Sequence, residues 1–96
     1  MKIESKNLIE QVKNELNEIQ MALNSQSDRG IATAYSDFEY HNGRYSALMD
    51  ILRNEYFTEY LDVLMEYQDI LDDIIAKSDN MYITIKRKFN EFLTTE

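Results

Sequence analysis

A chain of 96 residues with a net charge of −8, 29% charged and 44% hydrophobic, can fold as one domain with a modest core and is too apolar to be disordered. Its lack of cysteine excludes disulfides, thiol catalysis and thiolate metal sites and fits a reducing cytoplasm. The acidic balance opposes direct binding to nucleic acid or to anionic membranes, and a supply of no proline and only two glycines favours long helices over turns.

The opening stretch "MKIESKNLIEQVKNEL" (1–16) is charged throughout and lacks the apolar run of a signal peptide, and no segment has the length of a membrane-spanning helix. A cytoplasmic protein is the expectation. Leu8, Val12, Leu16, Ile19 and Leu23 recur at steps of 4, 4, 3 and 4, which predicts a first helix with one apolar face. The polar run "NSQSDRG" (24–30) then reads as a loop.

The next stretch, "DFEYHNGRYSALMDIL" (37–52), admits two readings. Asn42-Gly43 is a favoured hairpin turn, with Phe38, Tyr40, Tyr45 and Ala47 alternating around it. Yet Phe38, His41, Tyr45, Leu48 and Leu52 step at helical intervals, and Tyr35, Phe38, Asn42, Tyr45, Met49, Leu52 and Tyr56 form a parallel row. The apolar phase runs unchanged through the glycine. A mid-helix glycine costs only about 1 kcal/mol, whereas an isolated hairpin is marginal. Helix is therefore predicted, with Gly43 as a kink or a point of close backbone approach.

No breaker lies between Arg44 and Lys77. Phe57, Tyr60, Leu64, Tyr67, Leu71 and Ile74 form a seam, widened by Leu61 and Ile75 on one side and by Tyr56, Val63 and Ile70 on the other. Such a sector covers about half the circumference, wider than the roughly 100° of a one-sided helix. It calls for two neighbours, either two helices of the chain itself or one helix and a partner. "RNE" (53–55) is either a joint or a polar patch on one rod. "KSDN" (77–80) is expected to end this element, with Ser78 or Asp79 capping the next. In the tail, Met81, Ile83 and Ile85 alternate like a strand, whereas Tyr82, Ile85, Phe89 and Phe92 step like a helix. With no second strand to pair with, helix is predicted. The fold expected is all-α: a single domain over 1–96 of three or four helices, a helical hairpin or bundle with one long central helix within 34–77.

The sharpest chemical pattern is acidic. Residues 50–79 carry nine acids against Arg53 and Lys77. Among them Glu55, Glu59, Asp62, Glu66, Asp69 and Asp73 step 4, 3, 4, 3 and 4, a stripe of carboxylates opposite the apolar seam. Like charges at these spacings weaken a helix by a few tenths of a kcal/mol per pair. The simpler reading is a solvated face that maintains solubility; the functional one is a docking face for a basic partner. The stripe spans about 27 Å, one charge per about 5 Å against one per about 1.7 Å for duplex DNA, so full duplex mimicry by this stripe alone is excluded, while local mimicry of a short phosphate run, or two stripes on a dimer, stays open. His41, the sole histidine, is expected to be a half-buried or surface residue. No catalytic motif, metal ligand set or cofactor signature is present, and neither enzymatic activity nor a cofactor is expected. Seven tyrosines border the seams, with the body of the ring buried and the hydroxyl wet. Tyr56 and Tyr67, beside the stripe, are the interface candidates. Lys86, Arg87 and Lys88 form a basic cluster suited to the acidic stripe of a second copy or to an ordinary charged face.

At "YHNGRYSALMDIL" (40–52) the chain resembles small acidic helical accessory proteins of Gram-positive phages and mobile elements, in which an aromatic, a glycine-basic pair and an Ala-Leu lie within a helix. Short length, acidity, absence of cysteine and richness in Lys, Asn and Ile add to the resemblance. It implies a helical accessory protein that binds and inhibits a host factor in the host cytoplasm, as anti-CRISPR and other anti-defence proteins do. It carries no catalytic or binding residue onto this chain. The expectation is a non-enzymatic protein-binding module. Its acidic face, with Tyr56 and Tyr67, would meet the basic surface of a host protein, one that itself binds nucleic acid or serves in defence. The alternative is a structural protein that assembles as a helical oligomer through its apolar-tyrosine seam. Self-association is expected in either case.

Overall fold

The computed structural model describes residues 3–94, which form five helices and no strand. Helix α1 (Ile3–Asn24) buries Val12, Leu16, Ile19, Ala22 and Leu23, the face its 3-4 spacing dictates. Its exposed carbonyl end is closed by side chains. Ser25 Oγ donates to the Ala22 carbonyl at 3.1 Å, and Gln26 Nε2 donates to that of Leu23 at 2.9 Å. The stretch read as a loop contains one helical turn, α2 (Gln26–Arg29), in which the Ser25 carbonyl accepts the Asp28 and Arg29 N–H groups. Gly30, at φ 87°, then redirects the chain in a conformation that side chains with a Cβ rarely adopt.

Helix α3 (Ile31–Glu55) folds back against α1 and buries Ala34, Phe38, Met49 and Leu52. Asn42 and Gly43 lie inside it, as the continuous apolar phase predicts. Gly43 is not a point of close approach: a Cβ added there meets nothing within 4 Å, and its φ is not positive. Gly43→Ala is therefore expected to raise stability by about 0.5–1 kcal/mol by removing conformational freedom from the unfolded chain. Gly30→Ala is expected to lower it, because φ at 87° is strained for alanine although the space is open. Thermal unfolding of the two variants should shift in opposite directions.

The long central helix expected within 34–77 is divided. Tyr56 leaves the helical region at φ −139° and ψ 62°, and the chain doubles back into α4 (Phe57–Glu66). The break keeps its hydrogen bonds: the Tyr56 N–H donates to the Leu52 carbonyl at 2.7 Å, and the Tyr56 carbonyl accepts the Tyr60 N–H at 2.9 Å. Of the two readings left open for "RNE" (53–55), the joint holds, and it falls one residue later. Tyr67, at φ −104° and ψ 19°, is a milder interruption. Its N–H and carbonyl both keep their partners four residues away, so α4 runs almost straight into α5 (Gln68–Thr94).

The longest helix is thus α5, with 27 residues, and it passes through "KSDN" without ending there. Ser78 caps nothing. It is buried in mid-helix and its Oγ donates to the Ile75 carbonyl at 3.0 Å, which satisfies the hydroxyl within the helix. The buried side continues from Ile74 through Ser78 to Met81. The alternation at 81–85 carries no strand: Met81 is buried and Ile83 exposed because they lie on different helix faces.

Returning alongside the hairpin, α5 is tied to both of its helices. Lys77 Nζ donates to Asn24 Oδ1 at 2.8 Å, at the end of α1. The Tyr82 ring meets Tyr35 and Phe38 edge-on at 5.8 and 6.2 Å. Its hydroxyl donates to Glu39 Oε1 at 2.6 Å, and that carboxylate pushes the phenol up to about 12. The 38 residues Phe57–Thr94, rising about 1.5 Å each, account for the 57 Å long dimension. The end of α5 beyond Ile85 is exposed at every residue through Thr94. Among the described residues no helix is long and apolar enough to cross a membrane.

Candidate functional site

The α4–α5 rod presents three faces. Tyr56, Tyr60, Val63, Tyr67, Ile70 and Ile74 turn inward, with Val63 and Ile74 buried and the others packed against the core. A second side stays open: Phe57, Leu61, Met65 and Ile75 are 56%, 42%, 76% and 59% exposed, and Leu64 and Leu71 at its inner edge are half-buried. The half-circumference apolar sector was expected to need two neighbours. The chain's own helices cover one side of it.

The third side is acidic. Glu59, Asp62 and Glu66 on α4 and Asp69 and Asp73 on α5 remain one row, because Tyr67 barely deflects the helix. This row spans about 21 Å. Glu55 is separated from it, standing at the end of α3 on the far side of the Tyr56 reversal. Asp73 pairs with Lys77 at 3.1 Å, and no ion pair joins Glu59, Asp62, Glu66 or Asp69 to another described residue. The Tyr56 hydroxyl is pushed up by burial and by the carboxylates of Glu4, Glu55 and Glu59. Tyr56 and Tyr67 are half-buried against the core. Tyr67 also lines a cleft of about 330 Å³ with Lys13, Leu16 and Ile70, otherwise edged by the amides of Asn14, Asn17 and Gln20. Its lining holds no carboxylate or histidine. Among the described residues no three His, Asp or Glu side chains converge to hold a metal ion.

A second polar cluster escaped the sequence reading. Glu15, 8% exposed, lies between α1 and α3. Its Oε1 accepts from Arg44 Nε at 2.7 Å, and its Oε2 meets His41 Nδ1 at 2.6 Å. Glu18 approaches the other ring nitrogen at 3.8 Å, and Tyr40 stacks edge-on against the imidazole. The signal was its position: Glu15 takes the inward slot in the series Leu8, Val12, Glu15, Ile19, Ala22, where an acid must find a partner across the interface. His41 is half-buried and serves this clasp, which holds two helices together.

Burial pushes the Glu15 carboxyl up, but the bonds from Arg44 and His41 outweigh it and hold the group below its ordinary 4.5. A carboxyl depressed in the folded state adds stability above its unfolded value, and that stability is lost as pH falls through the folded one. Denaturant midpoints should therefore decline on acidification below about pH 4.5 in the native chain. Glu15→Gln should be less stable at neutral pH and flatter in this range, and equal slopes for the two proteins would contradict the clasp.

In comparisons with known proteins, no protein-family model, curated protein or solved structure matches the chain.

Proposed function

We propose that the chain is a non-enzymatic protein-binding module whose working element is the α4–α5 rod. The carrying observation is the juxtaposition on that rod of open apolar side chains, Phe57, Leu61, Met65 and Ile75, with a row of carboxylates that lacks interleaved cations. Apolar area supplies affinity, and fixed charge of one sign selects the partner and speeds encounter. The partner class that fits is a protein with a basic surface, such as a nucleic-acid-binding protein of a host cell. Inhibition of such a host factor, and a phage or mobile-element origin, rest on the sequence resemblance at residues 40–52 alone. The test is specific capture of a basic protein by the immobilised chain, followed across ionic strength. Affinity should fall steeply from about 0.05 to 0.5 M salt, as the screening length shrinks below 10 Å. A partner held equally at both ends of that range would remove the acidic face from the interaction.

A second reading, assembly of the chain with itself, is favoured by the size of the open apolar strip, which continues past the bundle to Ile83, Phe89 and Leu93.

A further inference from the structure

The outer side of α4–α5 carries two shallow apolar grooves of opposite charge. One is lined by Leu64, Met65, Gln68, Leu71, Asp72 and Ile75, and helical spacing sets Asp62 and Asp69 beside Met65, three residues before it and four after. The other lies on the projecting end, where Ile83, Asn90 and Thr94 flank Lys86 and Arg87, with Glu91 at its edge. Residues 55–73 hold seven acids and no base, whereas residues 80–94 hold three bases and one acid. The grooves sit on one continuous rod, on either side of its middle: the acidic groove reaches it at Ile75, and the basic one lies farther out at 83–94.

We propose that two copies of the chain pair antiparallel along α4–α5, about a two-fold axis between Ile75 and Ala76, so that the basic end of each rod (83–94) lies over the stretch 57–68 of the other, including Leu64, Met65 and Gln68 of its acidic groove. This rests on the reading of α4–α5 as the working element and names a second copy as one occupant. An isologous two-fold contact makes this charge-complementary contact twice and closes the assembly. Met65, 76% exposed, then lies opposite Lys86 of the second copy. The lysine stem covers the thioether while its ammonium falls between Asp62 and Asp69. Leu61 meets the region of Phe89, and Phe57 that of Leu93.

Area supports the same occupant. At their exposures, Phe57, Leu61, Met65, Ile75, Ile83, Phe89 and Leu93 each present on the order of 100 Å², or about 700 Å² per copy, close to the roughly 800 Å² per partner of a standard interface. Near the axis Asp72 faces Asp79 of the second copy, a repulsion that subtracts from the pair. Glu59 and Glu66, farther round the rod from Met65, stay outside the contact and open to another partner.

Because the chain has no cysteine, single-cysteine variants report the register cleanly. Gln68→Cys and Ile83→Cys stand equally far on either side of the axis. Mixed under mild oxidation, they should form a disulfide-linked heterodimer. Gln68→Cys alone should not link, since in this register its symmetry mate is about 22 Å away along the rod. Rapid self-linking of Gln68→Cys would overturn the register in favour of a parallel or α4-centred pair. Sedimentation of the native chain should show a concentration-dependent dimer. The triple variant Lys86→Glu, Arg87→Glu, Lys88→Glu, its helicity checked by circular dichroism, should raise the dissociation constant at least tenfold. A native chain that stays monomeric at high concentration, or a triple variant that pairs as well as the native chain, refutes the proposal. These measurements use the purified chain alone, so their failure is separate from failure to capture a basic protein.

Discussion

Replacing Leu52 with alanine is expected to lower the unfolding free energy by about 3 kcal/mol, out of the roughly 5–15 kcal/mol available to a domain of this size. Leu52 is fully buried in the last turns of α3, where the chain is about to reverse, and its carbonyl holds the Tyr56 N–H at 2.7 Å. Truncation removes apolar contact and leaves a cavity that the surrounding helices cannot all close, because Tyr56 fixes α4 relative to α3. The neighbouring Ile51 is 41% exposed and provides the control. Ile51→Ala, on the same helix with a side chain of the same size, should cost less than about 1 kcal/mol. Urea unfolding followed by circular dichroism should show a lower midpoint for Leu52→Ala with an unchanged slope. Equal costs at the two positions would mean that the end of α3 is not packed as described.

Elements with a sustained apolar period were legible in the sequence. The face Val12, Leu16, Ile19 and Leu23 is buried as its spacing requires, and the phase running through Asn42-Gly43 decided correctly against a hairpin, since the strong local turn signal had no partner strand to support it. The reversal at Tyr56 was legible only as one of two readings of "RNE" (53–55), which the local sequence did not decide. No glycine or proline stands there, Asn54 remains helical two residues earlier, and the hydrogen bonds on either side survive. The break is made by tertiary packing, which draws Val63, Ile70 and Ile74 back against the hairpin. The mistaken stop at "KSDN" has the opposite cause: Ser78 and Asp79 have the chemistry of a cap, but the buried line from Ile74 to Met81 continues through them.

The candidate surface divides in the same way. The acidic row was readable because a fixed period of 3 and 4 maps directly onto one helix face, with Glu55 lost from it only because of the reversal at Tyr56. Which side of the wide apolar sector would remain open was not readable, since periodicity alone does not say which of two flanks a neighbouring helix will choose. The Glu15 clasp was hidden for a related reason. An acid in an inward slot is visible, but its partners, Arg44 and His41, lie on another helix and are found only once the two are docked.

Replacing Glu59, Asp62, Glu66 and Asp69 together with Gln or Asn should leave folding intact and weaken binding to a basic partner by about 2–4 kcal/mol, at 0.5–1 kcal/mol per lost charge pair. None of the four carboxylates is in an ion pair with another described residue, so no internal bond is broken. Their spacing sets like charges three and four residues apart, and removing that repulsion should gain a few tenths of a kcal/mol per pair in helix stability. Folding and binding should therefore move in opposite directions, a combination that a solvated face does not produce. Asp62 and Asp69 also flank Met65, where a second copy would place Lys86, so the fourfold change should weaken self-pairing as well. Glu59 and Glu66 lie on the outer side of the row, and neutralising those two alone should lower affinity for a basic partner while sparing the dimer. Titration calorimetry with the captured partner at low and high salt, beside sedimentation of the same variants, separates the two effects. An affinity indifferent to salt and to all four substitutions would leave the apolar strip as the working surface and assembly as the function.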